Sequence, residues 1–136
     1  MSKKAVVYWS GTGNTEAMAN AIADAAGCSA VSCEEFTAEE ATACDVIAFG
    51  CPAMGAEELE DTVFLPMFEA VKDTLSGKRV ALFGSYGWGD GEWMRTWEQD
   101  CKDAGAALIA EPVICCEAPD TEALTACEAL GKAMLD

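Results

Sequence analysis

Residues 5–26 read AVVYWSGTGNTEAMANAIADAA. The stretch opens with an apolar run, Ala5 to Trp9, rich in β-branched and aromatic side chains, and predicts a buried strand. It passes through Ser10-Gly11-Thr12-Gly13-Asn14-Thr15 and continues from Thr15 to Ala26 in a helical pattern, with Met18, Ile22 and Ala26 on one face. Strand, glycine loop and helix in that order are the first half of a βαβ unit. The two glycines let the loop curl, and the hydroxyls of Ser10, Thr12 and Thr15 and the amide of Asn14 surround it. Free N–H groups at a helix start make an anion site. The loop lacks the lysine of a Walker sequence, and Glu16 stands where a dinucleotide fingerprint needs its third glycine. A charge-neutral phosphate cradle is the expected role. A tight turn capping the helix is the plainer alternative.

The same alternation runs through the chain. Ala30 to Cys33 is a short strand, and Thr37 with Glu40 forms a capping box for a brief helix. Val46 to Cys51 (VIAFGC) is a buried strand. A helix near Thr62 to Leu75 carries Val63, Phe64, Met67, Phe68, Val71 and Leu75 on its apolar face. Pro66 fits only its first turn, and Gly77 marks its end. Val80 to Ser85 (VALFGS) is the next strand, and Glu92 to Ala104 is a helix with Trp93, Trp97 and Cys101 on one face. Ala106 to Cys116 holds the last strand, interrupted around Glu111-Pro112, before a final helix from Thr121 to Met134. Strand then helix, repeated about five times, predicts an α/β protein: one domain over 1–136, a five-stranded parallel sheet and helices on both faces. Ligands of such sheets bind beyond the carboxyl ends of the strands, so the loops at 10–15, 52–61 and 86–91 carry the function.

Composition narrows the chemistry. Among 136 residues there are 24 Asp and Glu, 8 Lys and Arg and no histidine, for a net charge of −16. No imidazole triad, histidine metal ligand or imidazole proton shuttle is possible. Nucleic acid would be repelled, so none is expected as a partner. Between Ala5 and Val71 stand 12 acidic residues and no basic one. That is either plain solubility or a face that steers basic partners. The 8 cysteines include no C-x-x-C, which removes zinc-ribbon, ferredoxin-type and dithiol spacings; no metal site is expected. The start MSKKAVVYWS has no signal-peptide character, and no stretch approaches the roughly 20 apolar residues of a membrane span. A cytoplasmic protein with buried, reduced cysteines and no membrane contact is expected.

The second loop reads Cys51-Pro52-Ala53-Met54-Gly55-Ala56-Glu57-Glu58-Leu59-Glu60-Asp61. Met54, just past a buried strand, could fold back onto the core or cover a planar ligand with its thioether. The third loop reads Tyr86-Gly87-Trp88-Gly89-Asp90-Gly91. A tryptophan between glycines is hard to explain by core packing, and Trp88 is read as a stacking platform. A phosphoacceptor domain would need an acidic cluster after the first strand and an aspartate ending the third. Trp9-Ser10 and Cys51-Pro52 occupy those places. A cysteine phosphatase needs C-x₅-R, and Glu57 follows Cys51 at that distance. A quinone reductase needs substrate space that Trp88 would occupy.

Taken together, VVYWSGTGNTEAMA, GCPAMGAEELE and LFGSYGWGDGEWM resemble the flavodoxins, in particular the short-chain type of clostridia and related anaerobes. The resemblance covers nearly the whole chain. It implies a flavodoxin-like three-layer sandwich of strand order 2-1-3-4-5 and a non-covalent FMN. Ser10, Thr12, Asn14 and Thr15, with the amides of Gly11 and Gly13, would hold the phosphate, and Ser85 would add a hydroxyl. Met54 and Trp88 would flank the isoalloxazine. Glu57 would accept from flavin N3–H, the amides of Gly87 and Trp88 would reach the pyrimidine edge, and the Gly55 carbonyl would turn toward N5. Pro52, Ala53, Ala56, Tyr86 and Gly89 complete the cofactor loops. Pro52 stands where some relatives have a serine. Ala56 follows Gly55 at a turn position that suits Asp, Asn, Ser or Gly; a positive φ there would cost ~1 kcal/mol, or about 40 mV for one electron.

The resemblance further implies an electron-transfer protein, not an enzyme: a low-potential one-electron carrier cycling mainly between neutral semiquinone and hydroquinone. Its partners would be basic-surfaced redox proteins such as pyruvate:ferredoxin oxidoreductase, hydrogenase or flavodoxin reductase. It would work as a monomer.

Overall fold

A computed structural model describes residues 3–11, 13–54, 58–87 and 89–135. Strands β1 (Lys4–Tyr8), β2 (Ala30–Ser32), β3 (Val46–Gly50), β4 (Arg79–Tyr86), β5 (Ala107–Leu108) and β6 (Val113–Cys116) alternate with helices α1 (Asn14–Ala26), α2 (Ala38–Ala43), α3 (Phe64–Val71), α4 (Glu92–Asp103) and α5 (Thr121–Ala133). All the strand pairs are parallel, and the order is β2-β1-β3-β4-β5, with β6 also against β4. β5 pairs with the start of β4 and β6 with its end, so one edge position is filled in two pieces. The break falls where the sequence carries Glu111-Pro112, since proline has no N–H for the ladder. The five-stranded sheet expected from the sequence thus has six strands by count.

Side-chain alternation builds two cores. Val7, Ile47, Phe49, Val80 and Leu82 face α3, α4 and the start of α2, where Phe64, Phe68, Trp93 and Trp97 pack. Val6, Val46, Ala48, Ala81 and Phe83 face α1 and α5, with Met18, Ile22, Cys127 and Leu130. α1 and α5 approach so closely at Gly131 that a Cβ there would stand 2.4 Å from the Ile22 carbonyl oxygen. These are the three layers expected.

Local boundaries follow from named caps. The Thr37 hydroxyl accepts from the Glu40 amide at 3.2 Å and starts α2. The Asp120 carboxylate accepts from the Ala123 amide at 2.8 Å and starts α5. Lys78 Nζ donates to the carbonyls of Ala41 and Cys44 at 2.8 and 2.5 Å, satisfying the end of α2. α3 is shorter than the sequence pattern: after Val71 the chain tightens into a 3₁₀ turn, Lys72–Thr74. Cys33, expected to end the second strand, begins a 3₁₀ turn capped by the Ser32 hydroxyl. Cys33, Cys44, Cys51, Cys101 and Cys127 are buried, and every cysteine is a free thiol. Burial pushes Cys33 up to about 11, and Cys101 and Cys127 up to about 12, so these thiols stay protonated and packed rather than nucleophilic. Among the described residues no helix is long and apolar enough to cross a membrane.

Candidate cofactor site

A cleft of about 270 Å³ opens beyond the carboxyl ends of β1, β3, β4 and β6. Gly11 and Asn14 come to it from the first loop; Pro52, Ala53 and Met54 from the second; Ser85, Tyr86 and Gly87 from β4 and the third. Eight of the residues singled out in the sequence therefore meet at one opening.

The first loop forms one end of this region. Gly13 sits at φ +94°, a left-handed turn open to glycine, and α1 starts immediately after it with no side-chain cap. The Gly13 amide donates to the Ser10 hydroxyl at 3.0 Å. Thr15 is 1% exposed and Ser85 4% exposed, and their hydroxyls lie 3.3 Å apart. Glu16, in the first turn of α1, accepts from the Tyr8 hydroxyl at 2.9 Å. That hydrogen bond is the main cause holding the Tyr8 phenol above its usual range, with burial adding to it. This end of the site thus brings hydroxyls and the start of α1 together, with no Lys or Arg among the described lining residues, a setting suited to a phosphate.

The second loop is pinned on both sides. The Ala53 amide donates to the Ser85 carbonyl at 3.0 Å, and the Trp93 indole donates to the Cys51 carbonyl at 3.1 Å. Met54 and Glu58 exchange backbone hydrogen bonds of 2.8 and 2.9 Å, closing a small hairpin. Met54 remains 38% exposed on the cleft wall. Its thioether, the Trp9 and Tyr86 rings and Pro52 give the cleft an apolar side.

Glu60 differs from its acidic neighbours in the second loop. It is 6% exposed. Its carboxylate accepts from the amides of Thr62, Val63 and Phe64 at 2.8–2.9 Å and from the Thr62 hydroxyl, and so closes the start of α3. Burial alone would raise its pKa, but the Thr62 hydroxyl and the three amides outweigh burial and bring it to about 2. Glu58, Asp61, Asp90 and Glu92 do lie exposed around the second and third loops. Asp90 pairs with Arg95 at 3.0 Å on the open surface.

Two lining residues were missed by the sequence reading. Trp9, expected to end the first strand, lies past it, and its ring packs over Gly11, where a Cβ would stand 3.0 Å from it. Glu117 follows β6 at φ +59°, with its amide on the Tyr86 carbonyl at 2.7 Å. The rule that ligands gather at strand carboxyl ends applies to β6 as much as to the first three loops and could have found it. Ser10, Gly13 and Thr15 sit beside the cleft, and Gly89, at φ +86°, is exposed away from its lining. Thr12, Gly55, Ala56, Glu57 and Trp88 lie outside the described residues.

A doubly wound parallel sheet with a phosphate-suited helix start and an apolar-walled cleft at its switch point defines a nucleotide-cofactor protein. Comparison with known proteins makes the class specific. The flavodoxin family model matches residues 6–131. A flavodoxin of Megasphaera elsdenii is 49% identical over 133 residues, covering 94% of this chain and 95% of that one. A flavodoxin of Clostridium beijerinckii is 42% identical over 132 residues, covering 93% and 95%. The solution structure of two-electron reduced Megasphaera elsdenii flavodoxin superposes with a TM-score of 0.88, covering 97% of this chain and 98% of that one. The chain belongs to the flavodoxin family. It is an FMN-binding electron carrier rather than an enzyme.

Proposed function

We propose that the chain, as a single domain over 1–136, is a low-potential one-electron carrier of the cytoplasm that works as a monomer. Bound FMN would supply the redox chemistry, shuttling mainly between neutral semiquinone and hydroquinone. The observation that carries this reading is the pairing of an uncharged phosphate site with a carboxylate-bearing cleft: Glu117 lines it directly, and Glu58 closes the hairpin beside it.

The chain's own residues divide the work. Ser10, Thr15, Ser85 and Asn14, with the amides of Gly11 and Gly13, hold the phosphate, and the start of α1 adds its dipole. Thr12 joins them. Met54 and Trp88 would cover the ring faces and exclude water, which would disfavour a charged ring. Glu57 would accept from the ring's N3–H, and the amides of Gly87 and Trp88 would reach its pyrimidine edge. The Gly55 carbonyl would accept a hydrogen bond from N5–H. Pro52, Ala53, Ala56, Tyr86 and Gly89 shape the loops around these contacts.

Carboxylates at the cleft and a chain charge of −16 would oppose a negative charge on the ring. The second electron would therefore enter at the lower potential. The same charge attracts basic-surfaced redox proteins, with pyruvate:ferredoxin oxidoreductase, hydrogenase and flavodoxin reductase as candidates, and makes their encounter salt-sensitive. A potentiometric titration of the FMN-loaded protein tests the reading. Two separated one-electron steps, the second well below the first, are expected. A single two-electron wave would overturn it.

A further inference from the structure

The second cofactor loop leaves the sheet at Cys51 and reaches α3 by way of Glu60, and these two residues meet. The Glu60 amide donates to the Cys51 Sγ at 3.3 Å, and the Cys51 thiol donates to the Pro52 carbonyl at 3.5 Å. Cys51 is fully buried and Glu60 nearly so. Burial pushes the Cys51 thiol well above its usual range, so it bonds as a neutral S–H, donor and acceptor at once.

Both residues are also fixed from behind. On the sheet side, the Cys51 amide donates to the Phe83 carbonyl at 3.2 Å, and the Cys51 carbonyl accepts from the Trp93 indole. On the helix side, one Glu60 carboxylate oxygen accepts from the Val63 and Phe64 amides and the other from the Thr62 amide and hydroxyl. The Glu60 carbonyl accepts from the Leu65 amide at 2.9 Å. One rung further out stand the paired backbone bonds of Met54 and Glu58, and Met54 lines the cofactor cleft.

A carboxylate that only capped α3 would need no bond to Cys51. The Glu60 amide on the thiol turns the helix cap into a tie across the neck of the loop. Holding a loop in its bound shape before the ligand arrives removes the ordering cost from binding. The phosphate end of the site is built from other parts, the start of α1 and Ser85. We propose that Cys51 and Glu60 are positioning residues of the flavin site: their thiol–amide tie holds the second cofactor loop in shape, so that Met54 already stands on the cleft wall when the isoalloxazine arrives. The inference rests on the reading that this loop meets the ring, and it adds two residues, neither of which lines the cleft.

The test titrates FMN and riboflavin into the full chain freed of flavin, and follows amide hydrogen exchange of the same flavin-free protein. Cys51→Ala removes the acceptor of the Glu60 amide and leaves every carboxylate in place. It should weaken both flavins by the same factor, about fivefold or more, because the loop meets the ring that they share. The amides of Met54, Glu58 and Glu60 should exchange about tenfold faster, with those of Val63 and Phe64 within about twofold of the parent. Cys51→Ser, which restores a donor and an acceptor, should recover part of both losses. Glu60→Gln should weaken both flavins too, and speed exchange at the neck and at the start of α3. Thr37→Ala, which removes the cap of α2, should change neither Kd by more than about twofold. Unchanged Kd values in Cys51→Ala would show that Glu60 only caps α3 and would overturn the proposal. So would a loss for FMN alone, an equal loss in Thr37→Ala, or a Cys51→Ser protein no better than Cys51→Ala. Met54→Ala tests the underlying reading. If it weakens neither flavin, the loop does not meet the ring and that reading fails; if it weakens both while Cys51→Ala weakens neither, the tie alone fails.

Discussion

The hydroxyls of Thr15 and Ser85 lie 3.3 Å apart, although 70 residues separate them in sequence. One belongs to the first turn of α1 and the other to β4. Their pairing ties the phosphate end of the cleft to the central sheet, and both side chains are almost wholly buried. Ser85→Ala and Thr15→Val should each weaken FMN binding by about 1–2 kcal/mol, roughly 5- to 30-fold in Kd. Riboflavin, which lacks the phosphate, should bind both variants within about twofold of the parent. Fluorescence-quenching titrations with the two flavins measure this. Equal losses for both flavins would mean that the pair supports the fold rather than the phosphate.

Glu60 gives the protein an acid-sensitive joint. Its pKa falls from 4.5 to about 2 on folding, which corresponds to about 3 kcal/mol. A depressed carboxylate stabilises the folded state above the unfolded value. That contribution is therefore complete above pH 4.5 and fades as pH drops toward 2. Glu60→Gln should be less stable at pH 7 by about 1–3 kcal/mol in urea unfolding. The gap should close as pH falls through that window. A gap that stays constant with pH would show that the charge contributes nothing.

Gly50 and Phe83 face each other across β3 and β4, and a Cβ on Gly50 would stand 2.1 Å from Phe83 Cε2. Gly50→Ala should cost about 1–3 kcal/mol of stability. In the Phe83→Leu background the penalty should shrink by about 1 kcal/mol, because the smaller side chain leaves room for the methyl. Denaturant unfolding of the four proteins gives the coupling directly. Strict additivity would place the strain elsewhere.

Glu117 brings a carboxylate to the cleft wall. Its replacement by glutamine should raise the second one-electron potential by something on the order of tens of mV and the first by less, since only the second reduction leaves a net negative ring. Potentiometric titration at low and high salt is the measurement, with the effect smaller at high salt. Equal shifts of both potentials would point to a change in binding instead.

Much of this architecture can be read from periodicity. Val7, Ile47 and Phe49 on one sheet face and Val6 and Ala48 on the other follow from side chains that alternate along a strand. Trp93, Trp97 and Cys101 fall on one helix face and are buried there. Pro112 marks the break in the last strand. The helix of 62–75 could not be bounded, because tightening after Val71 depends on tertiary contacts rather than on a breaker residue. Glu60 is indistinguishable in sequence from its acidic neighbours; only the turn into α3 aims its carboxylate at the open amides. Glu117 carries no motif, and its place in the cleft comes from β6 pairing alongside Ser85 and Tyr86.

The visible spectrum of the FMN-loaded protein during anaerobic dithionite titration tests the central claim most directly. A yellow protein that turns blue at one electron per flavin, through a neutral semiquinone, and then bleaches at two is the predicted course. Bleaching in one step with no blue species, or a protein that takes up no FMN, would contradict it.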